Sequence, residues 1–321
     1  MQKTIELVDY EPSTDSSLEE IMSGLGRKQK ELPCKLFYDE DGSDLYEQIT
    51  QLEAYYPTRV ESAIMRSNVS EIASLIGPHS AIIEYGSGSS EKTRILLRAL
   101  DSPTVYIPID ISKEHLLRAA GDIADEFPEL DVLPVCADYH ENLKLPEPDS
   151  HVQKKIVYFP GSTIGNFHRY EARDFLSRIR QILDEEDGVL IGVDLEKDIS
   201  VLELAYDDPE GVTAAFNLNI LRRLNREFGA EFQLGNFTHR SLYNKEHCRI
   251  EMHLVSNLDQ TVVLDGTSIE LAQGETIWTE SSYKYTPDSF EKLTREAGFE
   301  VERVWTDPDQ FFSVQFLKPS R

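Results

Sequence analysis

From residue 61 onward the chain alternates short apolar runs with segments of helical spacing. ESAIMRSNVSEIASLIG repeats its apolar positions at helical intervals and stops at Gly77-Pro78, a pairing that ends helices. SAIIEYGSGSSEKTRILLRAL reads as an apolar strand, a glycine turn and a helix. PTVYIPID predicts a second short buried strand, with SKEHLLRAAGDIADEF as the helix after it. LDVLPVCADY predicts a third strand, KKIVYFPGSTIGNF a fourth, RYEARDFLSRIRQIL a helix and GVLIGVDL a fifth strand. Strands that are apolar throughout, alternating with helices, predict an α/β fold with a doubly wound parallel sheet.

That rhythm fails in two places. Up to about residue 60 there is a helix over Ser17–Gly24, then FYDEDGSDLYEQITQLEAYYPTRVES, rich in aromatics and without strand alternation. Residues 200–285 hold a helical part, Ala205–Phe228. After it come period-2 segments (RIEMHLVS, TVVLDG, SIELAQGETIWTESSYKY) that predict antiparallel strands. The α/β rhythm resumes with TPDSFEKLTREAGF as helix and EVERVWTD and FFSVQFLK as strands. The expected organisation is one domain over 61–199 plus 286–321 and a second, α+β domain over 1–60 plus 200–285, inserted before the last strands and forming a cap.

Composition narrows the function classes. With 321 residues, two domains are a sensible division. A formal net charge of −26, with only short basic runs such as RKQK, argues against a nucleic-acid partner. Cys34, Cys136 and Cys248 are odd in number and far apart, which fits a reducing cytoplasm. The first residues lack the apolar stretch of a signal peptide, and no apolar run reaches the ~18 residues of a membrane span. The eight histidines are scattered, and His247 and His253 have no ligand-type partners, so no metal site is expected.

The candidate chemistry begins at IIEYGSGSSEKT. Glu84 ends a strand, Gly86-Ser87-Gly88 permits a tight turn and close ligand approach, and a helix N-terminus follows. A dinucleotide loop would need glycine where Glu91 stands, and a phosphate loop would need Gly-Lys-Ser/Thr. The turn therefore suits a nucleoside-type ligand without a pyrophosphate. Asp110 ends the next strand and can take two ribose hydroxyls. Asp138 ends the one after and can accept from an adenine amine, with Tyr139 beside it to pack the base. Taken singly, Asp110 reads first as a helix cap, Asp138 as a turn former and Lys92 as a solvated helix residue. Together, at successive carboxyl ends of one sheet, the acids resemble the site of an S-adenosylmethionine-dependent methyltransferase.

FYDEDGSDLYEQIT, YYPTR, EYGSGSSEKT, GSTIGN, AYDD, GVTAAFN, RIEM and TESSYKY occur in order over nearly the whole chain. This set resembles the histidine-specific Nα-methyltransferases of ergothioneine biosynthesis. The resemblance implies a Rossmann-like class I methyltransferase sheet, a separate substrate-binding domain, and S-adenosylmethionine as cofactor with S-adenosylhomocysteine as its product. It implies conversion of L-histidine to Nα,Nα,Nα-trimethylhistidine (hercynine) by a monomer. By the same resemblance Tyr38, Gly86, Ser87, Lys92, Asp110, Asp138 and Tyr139 fall on cofactor positions. Tyr55, Asn166 and Tyr206 fall where the amino and carboxylate ends are held, with Gly161 on the loop approaching them. Phe216 and Met252 line the side-chain pocket, and Glu280 and Ser282 read the imidazole. Tyr38, Asn166 and Tyr206 are the expected catalytic group. Two departures, Tyr46 and Tyr139 where the family often has Phe, each preserve an aromatic face.

The residues themselves leave rival readings. Asn166 can hold an amine with its carbonyl and a carboxylate with its amide, or can cap the following helix. Tyr206 can be half-buried packing, and Met252 can be core and pocket wall at once. Glu280 and Ser282 share one face of an extended strand. A neutral imidazole has one donor and one acceptor, which such a pair satisfies. Transfer to the amine needs its lone pair in line with the methyl and the leaving sulfur. No strong base is visible there, so proton loss to solvent is expected. The competing functions are methylation of another amino acid's α-amine, methylation of nucleic acid or protein, and a non-catalytic cofactor-binding module.

Overall fold

The computed structural model describes residues 6–10, 14–88, 90–138, 143–148 and 150–320. The chain divides into two compact units. The first comprises Met1–Glu11, Pro57–Glu196 and Tyr283–Arg321, and the second Pro12–Tyr56 and Lys197–Ser282.

A nine-stranded sheet runs through the first unit: β1 (Val8–Asp9), β2 (Ser80–Tyr85), β3 (Val105–Asp110), β4 (Asp131–Val132), β5 (Val135–Cys136), β6 (Lys154–Phe159), β7 (Gly188–Asp194), β8 (Phe299–Thr306) and β9 (Phe312–Pro319). Their order is β1-β5-β3-β2-β6-β7-β9-β8, with β4 also against β3. The pairs from β1 through β7 are parallel, whereas β9 runs antiparallel to both β7 and β8. This is a Rossmann-like α/β sheet with one reversed strand near its edge. The strands are buried on both faces because each face meets helices. Ala81, Ile83, Tyr85, Val157, Phe159 and Ile191 join one core, and Ile82, Tyr106, Ile156, Tyr158 and Leu190 join the other.

The third expected strand proves to be two short pieces, β4 and β5. Pro134 has no N–H to give a ladder and separates them. Its carbonyl instead accepts from Val8 N–H at 3.0 Å, adding β1, a two-residue strand too short to show as alternation. Chain order reverses at β2, which lies between β3 and β6. In open α/β sheets ligands bind in the crevice beyond the carboxyl ends at such a point.

The second unit holds helices Thr14–Leu25, Glu40–Gln51, Ile199–Tyr206 and Val212–Phe228. Its four-stranded sheet has the order Lys30–Glu31, Thr276–Tyr283, Arg249–Ser256, Phe237–Asn244, and a separate hairpin pairs Gln260–Leu264 with Thr267–Leu271. The expected single helical part Ala205–Phe228 is broken at DDPEG. Gly211 is left-handed at φ 77, and the Asp208 carboxylate accepts from the N–H groups of Val212 (3.0 Å) and Thr213 (2.7 Å), starting a new helix. Gly274, at φ 83, likewise divides SIELAQGETIWTESSYKY into two strands.

Candidate active site

Beyond β2 the chain turns through Gly86 (φ 72) and Gly88 (φ 46), a region open to glycine but strained for other residues. Gly86 N–H donates to Ile109 O at 2.8 Å, tying the turn to β3. Gly88 N–H donates to Asp110 Oδ2 at 3.2 Å, and Ser112 N–H to Oδ1 at 3.0 Å. The N-cap of the next helix is Ser112, so Asp110 instead braces the glycine turn. Burial pushes the Asp110 carboxyl above its ordinary value, against the pull of those N–H groups. A Cβ on Gly86 or Gly88 would meet nothing within 4 Å, and the buried Ser87 hydroxyl has no partner among the described residues. Open space over a glycine turn and a buried hydroxyl without a partner fit a nucleoside-type cofactor. Asp138 is buried two residues past β5. Tyr139 lies outside the described residues.

Lys92, on the first turn of the helix Glu91–Leu97, ion-pairs with Glu61. Glu61 is 1% exposed, and both of its oxygens accept from Gly161 N–H, at 3.0 and 2.9 Å. Gly161 follows β6 in a left-handed conformation (φ 78), and Ser162 repeats it (φ 56). Ser162 Oγ accepts from Asp194 N–H at 2.9 Å, and Asp194 in turn pairs with the fully buried Lys284 at 2.7 Å. This braced loop ends in the 3-10 turn Thr163–Asn166. The N-cap of the following helix is His168, which removes the capping explanation for Asn166. Glu61 was not singled out from the sequence. Its signal was an acid in register with Ile64 and Met65 on the apolar stripe of its helix, a position that buries its side chain.

In the second unit Tyr46, Ile49, Tyr55, Ala205, Tyr206, Thr213, Phe216, Met252 and Glu280 line one small pocket. The rings form a chain of edge contacts, Tyr46 to Tyr55 at 6.4 Å and Tyr55 to Tyr206 at 6.2 Å, while Phe216 stacks on Phe37 at 4.5 Å. Tyr206 OH and Ser282 Oγ share a hydrogen bond of 2.7 Å. Burial, with Tyr46, Tyr206 and Glu280 nearby, raises the Tyr55 pKa well above its ordinary value, so the phenol keeps its proton. Tyr38 is not among the lining residues but touches two of them edge-on, its ring 5.9 Å from Tyr46 and 6.0 Å from Phe216. Five expected substrate residues thus line one cavity, with Ser282 bonded to one of them. Gly86, Ser87, Lys92, Asp110, Asp138, Gly161 and Asn166 gather at the strand ends of the first unit.

Two further residues brace the pocket. His239 Nε2 lies 2.9 Å from Tyr206 O and its Nδ1 2.8 Å from Asn217 Nδ2. Burial lowers the His239 pKa, so a neutral ring donates to the carbonyl and accepts from the amide. Asn217 also accepts from Thr279 Oγ1 at 2.7 Å, beside Glu280. Neither was expected: the mixed polar sequence of Phe237–Asn244 hides the strand of His239, and Asn217 is a polar residue on the buried face of its helix.

A family model described as histidine-specific, S-adenosylmethionine-dependent methyltransferase matches residues 17–319. The histidine N-alpha-methyltransferase of Mycolicibacterium smegmatis is 40% identical, over 97% of this chain and 98% of that protein. The enzyme of the same name from Mycobacterium tuberculosis is 39% identical, over 90% of each. Ergothioneine biosynthesis protein 1 of Neurospora crassa is 34% identical over 91% of this chain, which spans 33% of that longer protein.

Proposed function

The chain belongs to the histidine-specific, S-adenosylmethionine-dependent methyltransferases, and from that premise we propose that it places three methyl groups on the α-nitrogen of L-histidine. The product is hercynine, and the reaction opens ergothioneine biosynthesis. The observation that carries this reading is the aromatic pocket with Glu280 on its wall and Ser282 bonded to Tyr206.

Glu280 takes the imidazole N–H, and Ser282 serves the other ring nitrogen. Phe216 and Met252 give the ring its apolar sides. A side chain without the matching groups leaves these polar atoms unpaired, and that is how the site rejects it. Tyr55 keeps its proton, and the Tyr55 and Tyr206 hydroxyls bind the polar end of the amino acid. Asn166 takes the amine on its carbonyl oxygen and the carboxylate on its amide.

The Gly86–Gly88 turn, Lys92, Asp110 and Asp138, with Tyr38 and Tyr139 by the family resemblance, would hold S-adenosylmethionine, which would supply an electrophilic methyl group on a sulfonium. The protein's own task is to hold a neutral amine in line. Desolvation lowers an amine's pKa, which favours the reactive form, and the proton leaves through solvent. A hydrogen-bonding amide and two phenols, with no fixed base, let the nitrogen rotate between rounds.

Glu280→Ala removes one polar partner of a buried ring, worth ~1–3 kcal/mol, so histidine KM rises roughly 5- to 150-fold while kcat changes little. Steady-state kinetics at saturating S-adenosylmethionine measure this, and an unchanged KM would remove Glu280 from recognition.

A further inference from the structure

We propose that Glu61 is a positioning residue for methyl transfer, joining the cofactor-side helix to the loop that carries Asn166 through one buried carboxylate. The inference rests on the reading above, in which Lys92 and Asn166 belong to the working site.

The geometry is specific. Glu61 reaches inward from the helix Tyr56–Ile76 and is buried. Gly192 of β7 faces it, and a Cβ on Gly192 would overlap Glu61 Oε1. The carboxylate meets the Lys92 ammonium and the Gly161 N–H together. Lys92 lies at the helix that begins the cofactor side. Gly161 begins a turn in which Gly161 and Ser162 are both left-handed, Thr163 Oγ1 donates to Pro160 O at 2.9 Å, and Gly165 N–H to Ser162 O at 2.8 Å. A left-handed serine is unfavourable and persists where its surroundings hold it. Here the holders are Glu61 on one side and the Asp194 N–H on the other.

Stability gives a poor account of this arrangement. Buried ion pairs return little net stability, because desolvation offsets their attraction. This one lies at the reversal of strand order between β2 and β6, where ligands of such sheets bind. Its consequence is geometric. Losing the carboxylate takes away the one group that Lys92 and Gly161 N–H share, and the loop that carries Asn166 shifts with Gly161.

The test compares wild-type chain with Glu61→Gln and Gly192→Ala. Glutamine keeps an acceptor for Gly161 N–H but gives Lys92 no charge. Alanine at 192 keeps both charges and pushes the carboxylate aside. Thermal unfolding is measured alongside kcat and KM for each substrate. Misplacing a catalytic group by ~1 Å costs up to ~100-fold, so the expected result is kcat lower by at least about tenfold in both variants. S-adenosylmethionine KM rises in Glu61→Gln, and Glu61→Asp recovers part of the lost kcat. Folded variants with kcat and both KM values within about twofold of wild type, and only a lower melting temperature, overturn the proposal. If Glu61→Gln does not fold, Gly192→Ala decides by the same criterion. If neither folds, Glu61→Asp decides, since it keeps the charge but is one methylene too short to hold both partners. Histidine methylation by the wild-type chain is the separate control on the functional reading.

Discussion

Glu84, next to last in β2, has its carboxylate sealed from solvent, accepting from Thr93 Oγ1 at 2.8 and 2.7 Å and from the Tyr106 hydroxyl. Burial dominates those bonds and pushes its pKa from 4.5 up to about 7. The folded state therefore holds this proton more tightly than the unfolded chain. The stabilisation is fully present below 4.5 and is lost as pH rises through about 7. At ~1.36 kcal/mol per unit the loss is about 3 kcal/mol. Glu84→Gln keeps the shape and removes the titration. Its melting temperature should fall less steeply than wild type between about pH 5 and pH 8 in thermal scans; parallel curves would contradict the assignment. At this scale the sequence revealed motif residues better than their supports. Glu280, Tyr206 and Asp110 stand in quotable strings. Glu61, His239 and Asn217 act through partners remote in the chain, and remote partners leave no local pattern.

The helix Val212–Phe228 shows how an element places a wall. Its buried face carries Phe216 into the pocket and, next to it, a fully buried Asn217. That one amide accepts from Thr279 and donates to His239 and to His253 O at 3.1 Å, fastening the helix to three strands. Asn217→Ala strands several buried polar partners, each worth ~1–3 kcal/mol, so an overall loss of about 2–4 kcal/mol is expected in denaturant unfolding. Histidine KM should rise with it, because Thr279 adjoins Glu280 and His239 holds Tyr206. A loss below about 0.5 kcal/mol would show that the network is dispensable. Strand–helix alternation made the first unit's elements legible, since fully buried parallel strands are continuous apolar runs. Short strands and breaks escaped because one residue decides them: Pro134 in the third strand, Gly211 and Asp208 between two helices, Gly274 between two strands.

At the scale of the whole molecule, the chain interleaves two compact units, each built from separate stretches of sequence. The α/β character and the change of rhythm were visible as periodicity. The gathering of Tyr46, Tyr55, Tyr206, Phe216, Met252 and Glu280 around one cavity was not, because they come from four distant segments. The family resemblance implied all of them but Tyr46 as substrate residues, and the grouping took form only in three dimensions. Among the described residues no helix is long and apolar enough to cross a membrane. With a net charge of −26, a polyanionic nucleic-acid substrate is disfavoured and a small amino acid suits the chain better. The central claim is that the pocket selects the imidazole side chain and that the α-nitrogen is methylated to completion. The most direct measurement incubates the purified chain with S-adenosylmethionine and each common amino acid in turn, reading products by mass spectrometry. The account predicts three added methyl groups on histidine, all on the α-nitrogen, and none on the other amino acids. No methylation of histidine, or equal methylation of another amino acid, would contradict it.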